Sequence, residues 1–84
     1  DRKQEYDKSK VNVKNPTVGD KVYEISGSDW EFGVTFGITD DEKFANELLS
    51  KAKKSNPELV YFEIEKYEII EVTEDKIIIL IPGC

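Results

Sequence analysis

Residues 76–83 read Lys76-Ile77-Ile78-Ile79-Leu80-Ile81-Pro82-Gly83. Five branched aliphatic side chains stand in a row, bounded by a lysine and by a Pro-Gly stop. Successive side chains of a strand point to opposite faces of the sheet, so both faces of this strand are apolar. Such a strand is covered on both sides or is completed by a partner. This row says much about architecture and little about chemistry.

The segment before it is strand-like from Val60 to Val72, and Thr73-Glu74-Asp75 between the two fits a hairpin turn. Within Val60–Val72 the apolar parity changes near Glu65-Lys66, which predicts a bulge, a bend or a break there. Further upstream, Thr39-Asp40-Asp41-Glu42 has the form of a capping box, with Phe44, Ala45, Leu48, Leu49 and Ala52 following at helical spacing. Acids crowd the start of this helix and Lys51, Lys53 and Lys54 its end, both matching the macrodipole. Ser55-Asn56-Pro57 terminates it, so a helix is predicted over 39–55.

Two strands precede the helix. Lys21–Ile25 reads as the first, and Ser26-Gly27-Ser28-Asp29 as the turn after it. In the second, Trp30, Phe32, Val34, Phe36 and Ile38 alternate with Glu31, Gly33, Thr35 and Gly37. The apolar set is expected in the core, because five large apolar groups are costly to leave in water. Gly33 and Gly37 mark a bulge, a sharp bend or the close approach of another backbone.

The predicted fold is therefore α+β. It is a small antiparallel sheet of four to five strands in the order β-β-α-β-β, with helix 39–55 packed on one face and the C-terminal strand central. That element order resembles β-grasp domains. Val18-Gly19-Asp20-Lys21-Val22 looks like the opening of SH3-like barrels, which makes such a barrel the alternative. Residues 1–16 read as a flexible polar arm with room for an edge strand at 11–14, and residues 17–84 as a single domain. The helix stripe is expected to cover Phe32, Val34, Phe36 and one parity of the last strand. Three covers suggest themselves for the other parity: the segment around Val11 and Val13, barrel-like closure of the sheet, or another protein chain.

Composition narrows the function classes. The 84 residues carry net charge -6. Residues 22–84 hold fourteen acids against six bases, and Glu58, Glu63, Glu65, Glu68, Glu71, Glu74 and Asp75 face only Lys66 in their stretch. That surface repels phosphate backbones, so direct nucleic-acid binding is not expected, while a basic partner is attracted. With no histidine, the usual general base near neutral pH and the Ser-His and Cys-His pairs are absent. One cysteine cannot build a zinc site or an intrachain disulfide. No glycine-rich phosphate loop is present, and Arg2 is the only arginine. No cofactor is expected. The longest apolar run, five residues, is far short of a membrane span.

Paired carboxylates, drawn from Glu63, Glu65, Glu68 and Glu71, are the one catalytic option, as in a very small hydrolase. Asp40-Asp41-Glu42 lacks the spaced loop of a calcium site and is better explained by capping. Tyr61 and Tyr67 flank Glu63 and Glu65 at strand spacing. Tyrosine brings apolar area with a polar tip, which suits an interface. The expected function is thus a small, acidic, non-enzymatic protein-binding module of inhibitor, immunity or modulator type, with Tyr61, Glu63, Glu65 and Tyr67 as partner-binding residues. The alternative is an exported or surface-tethered accessory domain with residues 1–16 as its tether. A start at Asp1 and the absence of methionine are compatible with export after signal removal. Self-association through the sheet or through Cys84 is a further expectation.

Overall fold

A computed structural model describes residues 2–82. Its elements are β1 (Arg2–Asp7), a 3-10 turn at Lys8–Lys10, β2 (Val11–Asn12), β3 (Lys21–Ser28), β4 (Gly33–Thr39), α1 (Glu42–Ser55), β5 (Tyr61–Val72) and β6 (Lys76–Ile81). All six strands form one mixed sheet in the order β1-β6-β5-β3-β4-β2. Every pairing is antiparallel except that of β2 with β4. The α+β class and the single helix agree with the sequence. The strand count, the order and the mixed pairing differ from it. A β-grasp order would set the C-terminal strand next to the first core strand. Here β5 lies next to β3, and β6 lies outside β5. The sheet curls into a half-barrel without hydrogen-bonded closure between β1 and β2, so it is not a closed SH3-like barrel either.

Residues 2–7 were expected in a flexible arm. Instead they form β1, paired residue for residue with β6 from Arg2↔Ile81 to Asp7↔Lys76. A strand at the sheet edge with little of itself buried shows no apolar alternation, which is why the sequence conceals it. Its pairing makes β6 an interior strand.

The curl answers the question of what covers the isoleucine row for one of its two parities. Ile77 and Ile79 point into the concave side and are fully buried with Val22, Ile38 and Ile69. Val11 and Val13 pack against this cluster, so the chain's own N-terminal segment and barrel-like curvature act together. Each such side chain contributes about 1.5–3 kcal/mol of transfer free energy. Ile78 and Leu80 face the convex side and are half-buried. Their register neighbours are Glu5 and Glu71 for Ile78, and Lys3 and Glu68 for Leu80. Long charged side chains can shield apolar surface with their methylene stems while the heads stay in water.

The helix covers a second core on the convex side of β3, β4 and β5, and not the expected parity of the last strand. There Ile25, Ala45 and Ala52 are buried. The helix has no comparable packing on β6, and Val34 of the expected stripe stays exposed, because the sheet curls away from the helix axis toward β6. A Cβ on Gly37 would lie 2.8 Å from Leu48 Cδ2, the rotatable end of a helix side chain that packs over this glycine. The N-cap is Asp41, not Thr39. Its carboxylate accepts from the backbone amides of Lys43 (2.9 Å) and Phe44 (3.4 Å). Thr39 ends β4 and its hydroxyl accepts from the Asp41 amide at 3.1 Å. The helix therefore begins at Glu42, three residues later than predicted.

Two further expectations change. The first turn lies at Asp29–Phe32, because β3 runs on through Ser28. The expected core stripe of β4 is split by a bulge opposite Ile25/Ser26. Phe36 stacks on Phe62 toward the helix, whereas Ile38 faces the concave cluster. Trp30 and Phe32 lie before the strand and are exposed at 78% and 62%. In β5, no irregularity occurs at Glu65-Lys66. Its register with β3 is continuous, and the irregularity lies between Ile69 and Glu71 opposite β6. The apolar parity changes because the strand passes from one core to the other. Phe62 and Ile64 lie on the helix side, and Tyr67 and Ile69 on the concave side. The Thr73–Asp75 turn is as expected, closed by Thr73 N–H to Lys76 O at 2.9 Å.

Candidate functional site

The β3–β5 register aligns Tyr61 with Ser28, Glu63 with Ser26, Glu65 with Glu24 and Tyr67 with Val22. Alternation along β5 then places Tyr61, Glu63, Glu65 and Tyr67 on one face, opposite the helix. These are the four residues singled out from the sequence, and the sheet brings all four together. They form a gradient. Tyr67 packs against the buried cluster at the deep end, Glu65 and Glu63 are exposed, and Tyr61 stands at the rim with half its surface open.

The carboxylates of β5 are split between the two faces of the sheet. Glu63 and Glu65 face the concave side. Glu68 is on the convex side, where its carboxylate meets Lys21 Nζ at 2.6 Å. Glu71 pairs with Ile78, on the same convex parity. A general acid and base drawn from both pairs would be separated by the sheet. Among the described residues no group of three or more candidate ligands is placed to hold a metal ion. Asp41 works as the helix cap, as its hydrogen bonds require.

Glu24, which the sequence did not single out, lies beside Glu65 in the β3–β5 register and is only 8% exposed. The Tyr6 hydroxyl donates to its carboxylate from β1, across the concave side. Burial pushes the Tyr6 phenol well above its ordinary range, and the Glu24 hydrogen bond and charge add to this. The Tyr67 phenol is raised as well, first by burial and then by the charges of Glu24 and Glu65. Arg2 acts on Tyr67 in the opposite sense, so the lone arginine belongs to this face and not to a free arm. Glu63 and Glu65 take part in no ion pair among the described residues. Their field is left for an external cation.

The rim is built by a turn. Asp29 accepts from the backbone amides of Glu31 (2.8 Å) and Phe32 (2.9 Å), and its own amide donates to Phe32 O at 3.0 Å. These bonds hold the Asp29 carboxyl below its usual range. Trp30 sits at the tip of this turn. Its ring stands edge-to-face with Tyr61, centroids 5.6 Å apart and planes at 86°. Sequence alternation assigned Trp30 to the core. Asp29 was the available signal, since aspartate often accepts from the amides two and three residues on and so starts a turn.

A cleft of about 460 Å³ lies where β1 approaches β4, lined by Tyr6, Lys10 and Thr35–Ile38. Cys84 lies outside the described residues. No described helix is long and apolar enough to cross a membrane. Comparison of the chain with protein-family models, with curated proteins and with solved structures gives no match.

Proposed function

We propose that this chain is a small non-enzymatic binding module that presents an acidic, aromatic-edged sheet face to a basic protein partner. Inhibitor, immunity and modulator proteins are the functional types that fit. The observation that carries the proposal is the shared face of Tyr61, Glu63, Glu65 and Tyr67, with two exposed carboxylates in no ion pair among the described residues and Trp30 exposed beside Tyr61. Aromatic residues are enriched where proteins meet, and unpaired surface charge steers encounter. The isoleucine row lends no support, because the half-barrel buries its concave parity without a second chain. The separation of Glu63 and Glu65 from Glu68 and Glu71 favours binding over carboxylate catalysis. The tether alternative is weakened by the pairing of residues 2–7 with β6.

The test is capture of a partner from the native source, with and without Glu63→Lys and Glu65→Lys together. Charge reversal is expected to abolish capture, and Glu71→Lys on the opposite face to leave it intact. Capture by the double variant that matches the parent at low and at high salt would overturn the proposal.

A further inference from the structure

We infer that the corner between Trp30 and Tyr61 seats a lysine or arginine side chain of the partner, with Glu63 as its counter-charge. The inference rests on the acidic face being the partner surface, and it names the chemistry which that surface reads. Trp30 is 78% exposed and Tyr61 51% exposed, so neither ring is consumed by the core. In this edge-to-face pair the edge of one ring meets the face of the other with centroids 5.6 Å apart, and beside that contact the two planes form an open right-angled corner. Ring faces carry the negative part of the aromatic quadrupole, so such a corner attracts cations and gives no favourable seat to phosphate or carboxylate.

Glu63 supplies the charge. It is two residues from Tyr61 on the same face, about 7 Å along the strand. The cross-strand neighbours of Tyr61 and Glu63 are Ser28 and Ser26, whose small side chains leave the space beside the corner low and open. Asp29 is already committed to the amides of Glu31 and Phe32, which fixes the turn that presents the indole. A partner side chain with a long methylene stem and a terminal cation can lay the stem on the rings and direct the charge to Glu63.

Trp30 is the only tryptophan, so emission excited at the red edge of the indole band, where tyrosine does not absorb, reports on this corner. The probe is an acetylated, amidated tetralysine peptide, titrated at low salt. A saturable change in Trp30 emission is expected, with no change from the matching tetraglutamine peptide. Glu63→Gln and Tyr61→Leu should each weaken the tetralysine affinity roughly two- to fivefold, the size of one exposed ion pair or cation–π contact. Both positions are exposed, and far-UV circular dichroism checks that the variants fold. An emission change that does not saturate, or that both variants leave unaltered, overturns the inference. A response to phosphatidylcholine vesicles without one to the peptide also overturns it, in favour of a lipid surface. In the capture assay, loss with Glu63→Lys and Glu65→Lys but full capture with Trp30→Leu and Tyr61→Leu removes the corner and leaves the acidic face standing. Full capture by all of these variants removes both.

Discussion

Replacing Tyr6 by phenylalanine removes one oxygen from the protein and should cost a substantial share of its stability. The ring remains, so the contacts of β1 with the concave cluster persist. What is lost is the donor to Glu24, a carboxylate that is only 8% exposed. A hydrogen bond to a charged group contributes about 1.5–3 kcal/mol, and a buried acceptor left without its donor loses that amount in full. A domain of this length has a total stability of roughly 4–13 kcal/mol. The substitution should therefore lower the melting temperature by roughly 6–24 °C, using about 4–8 °C per kcal/mol for this size class. Urea unfolding followed by far-UV circular dichroism measures it, with an unchanged denaturant slope and a midpoint lowered by roughly 0.5–3 M. Glu24→Gln in the Tyr6→Phe background should recover part of the loss, because a neutral amide is less costly to bury than an unpaired carboxylate. A loss below about 0.5 kcal/mol would refute the reasoning, since that is the range of an ordinary surface change and would mean that water replaces the tyrosine.

The same residues predict behaviour at high pH. Tyr6 and Tyr67 are both raised above the ordinary value of 10.0, so in alkali the unfolded chain gives up these protons before the folded one. The folded state then binds more protons, and stability must fall as the pH rises past about 10. Urea midpoints at about pH 8 and about pH 11 should show this fall, and Tyr6→Phe should flatten it. Gly27→Ala should destabilise by about 1–3 kcal/mol. Its Cβ would meet Phe36 Cε2 at 2.9 Å, Leu59 Cδ1 at 3.1 Å and Phe62 Cδ1 at 3.2 Å, and the two stacked rings cannot both withdraw. Gly37→Ala should cost less than about 1 kcal/mol, because only the rotatable end of Leu48 stands in the way. Parallel thermal melts of the two variants decide the order. Asp41→Ala should cost about 1 kcal/mol through loss of the helix cap, and Asp40→Ala less than about 0.5 kcal/mol, read from the same melts.

Features held within a few neighbouring residues were legible in the chain. The helix is one, because its apolar stripe and terminal charges lie within a few turns. The Thr73–Asp75 hairpin is another. The common face of Tyr61, Glu63 and Glu65 follows from strand periodicity alone, as does the two-faced character of Ile77–Ile81, whereas Tyr67 joins that face only because no break occurs at Glu65-Lys66. Local competition defeated the expected positions of two elements. The Asp29 side chain captures the amides of Glu31 and Phe32 and moves the turn past Ser26-Gly27-Ser28. Asp41 captures those of Lys43 and Phe44, which takes the cap from Thr39.

The remainder was decided by tertiary structure. Strand order depends on pairings between residues far apart in the chain, and β1 carries no apolar signal because its contribution is backbone hydrogen bonding to β6. Curvature settles the rest. Only a curled sheet lets Tyr6 reach Glu24, buries Ile77 and Ile79 without a second helix, and hands the apolar parity of β5 from one core to the other. The sequence by itself determined that the isoleucine strand must be buried and that Tyr61, Glu63 and Glu65 share a face, while the unbroken β3–β5 register added Tyr67 to them. The tertiary structure alone decided that the burial comes from within the chain, and that Trp30, apolar and in register with a core stripe, stays in water beside Tyr61. Periodicity reports which side chains share a face, but what lies opposite that face is set by contacts distant in sequence.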